Sequence, residues 1–151
     1  MTKSTSLALD QKDINTILVI DFGSQYTQLI ARRVRELDVF SEILPWDISP
    51  ERINALNPTG IILSGGPESV TVSNTPRIPE IVFDLDVPIL GICYGMQTLA
   101  EQFGGQVTSS KAKEFGHAEI VIEETSVLFD GFNSGSSIDV WMSHGDHVST
   151  L

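Results

Sequence analysis

The stretch from Pro88 to Gln97 constrains the fold more than any other part of the chain. Pro88 to Ile92 is an apolar run that reads as a buried strand. Tyr94 to Phe103 reads as a helix following it at once, ended by Gly104 and Gly105. Cys93 stands at the junction, with Gly91 and Gly95 two residues to either side. A side chain on so sharp a strand-to-helix turn is pushed out above its sheet, and its neighbours must lack bulk. This is the layout of a nucleophile elbow, with the thiol at a helix N-terminus whose unpaired N–H groups favour negative charge. A buried structural cysteine is the competing reading. It leaves the two glycines without a purpose.

A strand that runs straight into a helix implies a sheet of parallel strands, and the rest of the chain follows the same alternation. Strands are expected at Ile17 to Asp21, Ser41 to Leu44, Gly60 to Ser64 and Pro88 to Ile92. Helices are expected at Tyr26 to Leu37, with Leu29, Ile30, Val34 and Leu37 at helical spacing, and at Pro50 to Leu56, capped by Ser49. A further helical piece covers Pro79 to Asp84. After Gly105 the pattern changes to strands at Gln106 to Thr108, Ala118 to Ile122 and Ile138 to Met142, an antiparallel extension. The fold class is thus α/β, a doubly wound and mostly parallel sheet. Residues 1–13 are polar and aperiodic and read as an N-terminal extension to a single domain over 14–151.

In such sheets ligands bind beyond the carboxyl ends of the strands. Four polar or glycine-rich segments follow expected strands: Phe22 to Gln25, Gly65 to Glu68, Cys93 to Gly95, and Ser143 to His147. The first three should share one rim. Gly65-Gly66-Pro67 reads either as a plain turn or as backbone that approaches a ligand closely and points N–H groups at it. On the second reading the N–H groups of Gly66 and Tyr94 form an oxyanion hole beside Cys93.

Charge and composition remove several alternatives. The net charge of -11 argues against nucleic-acid or anionic-membrane partners, which need clustered Lys and Arg. Arg32, Arg33 and Arg35 are read as a solvated helix face. A single cysteine forms no internal disulfide, and the absence of a signal peptide or apolar span makes the cytoplasm the expected compartment. Asp21-Phe22-Gly23 spells a kinase motif without the rest of a kinase. His144, Asp146 and His147 make too small a set for a metal site. No P-loop or dinucleotide fingerprint is present. His117-Ala118-Glu119 has the form of a base with its carboxylate, since residues two apart on a strand share a face.

Taken together, these residues resemble the glutaminase domain of the GMP synthase branch of the class I (triad-type) glutamine amidotransferases. The likeness runs from Ile17 through Val19 to Tyr26, Ile62 to Ser69, Gly91 to Gln97 and Trp141 to Asp146. It implies a flavodoxin-like sheet and a thiol, Cys93, that attacks the side-chain amide of glutamine to give ammonia and a glutamyl thioester. It also implies an oxyanion hole from Gly66 and Tyr94, and a glutamine pocket lined by Gly65, Gln97 and the loop around Ser143 and His144. The ammonia would pass to an ATP-dependent synthetase domain, with its own ATP and Mg, that converts XMP to GMP. No cofactor or metal is expected in this chain, and a homodimer is expected of the whole protein. The family's catalytic His and Glu belong to a His-Pro-Glu motif that these 151 residues do not contain. The expectation is therefore of an amidotransferase domain truncated at its C-terminus and inactive alone. Two rivals remain: a non-catalytic module of the same fold that binds glutamine or a partner, and a nucleotide-binding domain using the Ser64 to Ser69 loop.

Overall fold

A computed structural model of the chain describes residues 14–151, without the side chains of residues 110–114 and 144. The polar stretch 1–13 lies outside the described residues. Two compact units emerge, one comprising residues 14–107 with Val148–Leu151, the other Thr108–His147.

The first unit is built on four parallel strands: β1 (Thr16–Asp21), β2 (Phe40–Pro45), β3 (Gly60–Leu63) and β4 (Ile89–Gly91). Their order is β2-β1-β3-β4. The chain steps from β1 outward to β2, then returns across β1 to β3 and β4. Right-handed crossovers therefore send the helix after β1 to one face and the helical pieces after β2 and β3 to the other, and the reversal leaves a switch point between β1 and β3. Val19 is fully buried on one face of β1, and Leu18 and Ile20 of β1 with Leu63 of β3 are fully buried on the other, as expected of a sheet covered on both sides. Leu18, Ile20 and Leu63 join Phe22, Ile53, Ile61, Val70, Ile78, Val82 and Tyr94 in one apolar cluster.

Between the strands lie α1 (Thr27–Arg35), α2 (Pro50–Leu56) and α3 (Tyr94–Gln102), with a 3-10 helix at Glu80–Asp84 where a helical piece was expected. In α2 the Ser49 hydroxyl accepts from the Arg52 N–H, Pro50 sits at the first position, and Asn57 closes the helix in the left-handed region. The Glu51 carboxyl is held below its ordinary pKa, first by a backbone hydrogen bond and then by the Ser49 hydroxyl.

Helix α1 departs from expectation. It stops at Arg35, Leu37 is 77% exposed, and the residues it buries are Thr27 and Ala31. Small side chains let this helix come close enough to the sheet for the Ser41 hydroxyl to donate to the Ala31 carbonyl. Arg32 and Arg33 pair with Glu36 in solvent, as a solvated face does.

The three short strands expected after Gly105 are instead two long ones, β5 (Gln106–Val121) and β6 (Ser137–Thr150), paired with each other. The Ser149 hydroxyl bonds the Gln106 carbonyl, Thr108 meets His147, and the Ile122 N–H reaches the Ser136 carbonyl, so the strands run antiparallel. Ser143 to His147, expected as a loop, is strand. Cross-strand bonding carries the pairing through a polar stretch that lacks an apolar signal. A 3-10 helix, Val127–Phe129, lies in the connection between them.

Candidate functional site

At the carboxyl ends of β1, β3 and β4 three loops meet. The Phe22 N–H donates to the Ser64 hydroxyl at 3.0 Å, and that hydroxyl donates to the Gly65 carbonyl at 2.9 Å. Pro67 Cδ lies 3.3 Å from where a Cβ on Gly23 would stand. A Cβ on Gly65 would lie 3.6 Å from Cys93 Cβ and 3.6 Å from the Ser24 hydroxyl oxygen. The shared rim anticipated from the sequence is therefore present, at the switch point where open α/β sheets bind ligands.

Cys93 caps α3 with φ 49° and ψ -114°, a conformation that costs an L-residue about 1–3 kcal/mol. The turn that imposes it is held by the Gly95 N–H, which reaches the Ser64 and Ile92 carbonyls, both at 3.0 Å. Both flanking glycines are required by packing. A Cβ on Gly91 would stand 2.6 Å from Met96 Cα, and one on Gly95 would overlap the Leu63 carbonyl. The thiol is exposed. A strained, glycine-flanked and outward-facing cysteine is the reverse of a buried structural one.

Gly66 also has no room for a side chain, because its Cβ would meet the Phe22 carbonyl oxygen at 2.6 Å. Among the described residues, neither the Gly66 N–H nor the Tyr94 N–H donates to another protein group. The Tyr94 side chain is buried, with its ring centroid 5.3 Å from that of Phe22 and its hydroxyl donating to the Pro76 carbonyl. Gln97 is buried one turn along α3, with its N–H on the Cys93 carbonyl.

Ser143 is exposed on β6 of the second unit, and the side chain of His144 lies outside the described residues. His117 and Glu119 share the exposed face of β5, as their spacing requires. The partner of His117, however, is Asp139 on β6, with Nε2 and Oδ1 2.8 Å apart. Asp21 of the kinase-like triplet builds a turn, its Oδ1 accepting from the Gly23 N–H and the Thr27 hydroxyl. Ser64 is fully buried and committed to the turn between β1 and β3, which takes its hydroxyl away from the phosphate role of the nucleotide-binding rival. Sequence reasoning overlooked this strut, although a serine at a strand end before Gly-Gly is its signal. Among the described residues, no His, Cys, Asp and Glu side chains gather around a common metal position, and no helix is long and apolar enough to cross a membrane.

A switch-point site built around an elbow cysteine defines a class of proteins, and the family model described as glutamine amidotransferase class-I matches residues 18–151. The chain belongs to that family. Among curated proteins it is similar to the GMP synthase (glutamine-hydrolyzing) of Colwellia psychrerythraea, 58% identical over 148 residues, covering 93% of this chain and 28% of that protein. The protein of the same name from Histophilus somni is also 58% identical, over 89% of this chain and 27% of the relative. The chain thus spans little more than a quarter of these relatives. Among solved structures, a putative GMP synthase subunit from Thermoplasma acidophilum superposes with a TM-score of 0.72 at 31% identity, over 90% of this chain and 67% of that one. A glutamine amidotransferase from Methylobacillus flagellatus shares the fold, with a TM-score of 0.65 at 21% identity over 90% of this chain and 57% of that one.

Proposed function

We propose that this chain supplies the nucleophile and oxyanion hole of a site that, in the whole protein, releases ammonia from glutamine for the synthesis of GMP. The Cys93 thiolate adds to the side-chain carbonyl carbon of glutamine, forming a C–S bond as the C=O pair moves onto oxygen. The N–H groups of Gly66 and Tyr94 receive that oxyanion. Its collapse expels the nitrogen, which takes up a proton and leaves as ammonia, with a glutamyl thioester remaining. Water then cleaves the thioester to glutamate and restores the thiol. Gly65 and Gln97 line the glutamine pocket on the first unit. The ammonia goes to an ATP-dependent synthetase, with its own ATP and Mg, that aminates XMP in the cytoplasm, in a protein that works as a homodimer.

The observation that carries this reading is Cys93 itself, exposed at a strained turn between two glycines that tolerate no side chain and beside the Gly65–Gly66 backbone. The family membership and the GMP synthase relatives support it. Among the described residues no side chain hydrogen-bonds the Cys93 thiol, and the 151 residues contain no His-Pro-Glu. General acid–base transfer of that kind contributes about 10² to 10⁴ in rate. Residues 1–151 alone are accordingly expected to release no measurable ammonia from glutamine, and a chain continued through a His-Pro-Glu to do so. Robust ammonia release by the 151-residue chain, lost in both Cys93→Ala and His117→Ala, would overturn this assignment of the base and promote His117 with its carboxylate.

A further inference from the structure

Helix α3 carries Cys93 at its start, so whatever holds this helix also aims the thiol and the Tyr94 N–H. One polar stripe does much of the holding. Tyr94, Thr98, Glu101 and Gln102 follow the spacing i, i+4, i+7, i+8 and fall on one helix face. Three consecutive residues of the segment between β3 and the Glu80–Asp84 helix meet that face in turn. The Pro76 carbonyl accepts from the Tyr94 hydroxyl, the Arg77 guanidinium pairs with the Glu101 carboxylate, and Ile78 is gripped twice by Gln102. In that grip the Gln102 Oε1 takes the Ile78 N–H at 2.9 Å and its Nε2 gives to the Ile78 carbonyl at 3.1 Å. The side-chain amide thus bonds the backbone as a neighbouring strand would. Thr98 fixes it from behind, its hydroxyl donating to the same Oε1.

Tyr94 belongs to this strap at one end and to the site at the other. Its ring leans on the Phe22 ring at 55°, and the carbonyl of Phe22 is the group that closes over Gly66. Resting on the reading of the site given above, we propose that the Tyr94 side chain is a positioning residue. Wedged between Phe22 and the Pro76 carbonyl, it sets the spacing of the Gly66 and Tyr94 N–H groups on which the oxyanion depends. The strap formed by Pro76, Arg77 and Ile78 is its anchor. One residue therefore serves the site twice, by its backbone as donor and by its side chain as spacer.

The test compares two reagents on the same thiol. A glutamine analogue with a chloromethyl ketone in place of the carboxamide puts charge on the ketone oxygen as the thiolate adds, before chloride leaves. Iodoacetamide alkylates by direct displacement and creates no oxyanion. Tyr94→Phe keeps the ring and removes the bond to Pro76. A misplacement of up to about 1 Å costs up to about a hundredfold in rate, so the ketone reaction should slow by about tenfold or more, with the iodoacetamide rate within about twofold of wild type. Gln102→Met, which loosens the strap without touching Tyr94, should move the same ratio in the same direction but less. An unchanged ratio in both variants, or an equal fall in both rates, would overturn the proposal and leave the glutaminase reading standing. A wild-type thiol that reacts with the ketone no faster than a simple thiol would remove that reading and the proposal with it.

Discussion

Replacing Gly95 by alanine should destabilise the first unit by about 1–3 kcal/mol, although alanine is the better helix former. The added Cβ would overlap the Leu63 carbonyl and lie 2.6 Å from Leu63 Cβ, and these belong to a fully buried residue at the end of β3. Ordinary contact begins near 3.4 Å, so α3 must withdraw from the sheet by most of an ångström. That movement stretches the two bonds from the Gly95 N–H to Ser64 and Ile92, each worth about 1 kcal/mol. Against this stands the helix propensity gained, about 1 kcal/mol. With about 1 kcal/mol of overpacking strain at Leu63 added to the two bonds, the net loss is near 2 kcal/mol, which lowers the melting temperature by about 4–8 °C in a chain of this size. Gly65→Ala is the control. Its Cβ would meet Cys93 and Ser24 only at van der Waals distance, so stability should stay within about 0.5 kcal/mol. Thermal and urea unfolding of both variants decide the matter. A Gly95→Ala chain as stable as wild type would mean that α3 is free to slide and the elbow is not packed against β3.

Ser64→Ala should cost about 1–3 kcal/mol by urea unfolding, because the buried Phe22 N–H loses its only acceptor among the described residues. Cys93→Gly should unfold at higher urea than Cys93→Ala, by about 1 kcal/mol, since both lose the thiol and only glycine relieves the positive φ. Glu51 has a depressed carboxyl pKa, so its contribution is complete above the unfolded-state value and disappears as pH falls through the folded one. The margin of wild type over Glu51→Gln should accordingly be present at neutral pH and vanish in acid, as read by unfolding across a pH series.

What the sequence disclosed depended on how local the cause was. The bounds of α2 were legible to the residue, because Ser49, Pro50 and Asn57 act on their own backbone. The elbow was legible for the same reason: a strand, a sharp turn and a helix are contiguous, and the two glycines announce the crowding. Strands β5 and β6 were only partly legible. Their middles are polar, and pairing between distant segments holds them, so Ser143 to His147 passed for a loop. Helix α1 misled because Leu29 and Leu37 follow the helical period while the sheet is approached through Thr27 and Ala31. Least visible were contacts made across the fold. Nothing near Ser64 in the sequence points to Phe22, 42 positions away, and nothing near Tyr94 points to Pro76.

The central claim is that Cys93 is a nucleophile shaped to receive glutamine. Its most direct test is intact-protein and peptide mass spectrometry of the wild-type chain treated with the chloromethyl ketone analogue of glutamine, with and without excess glutamine. The account predicts one adduct, on Cys93, formed faster than on a simple thiol and slowed by glutamine but not by asparagine, whose amide is one methylene too close to the backbone. Labelling of Cys93 at the rate of a simple thiol, indifferent to glutamine, would contradict it.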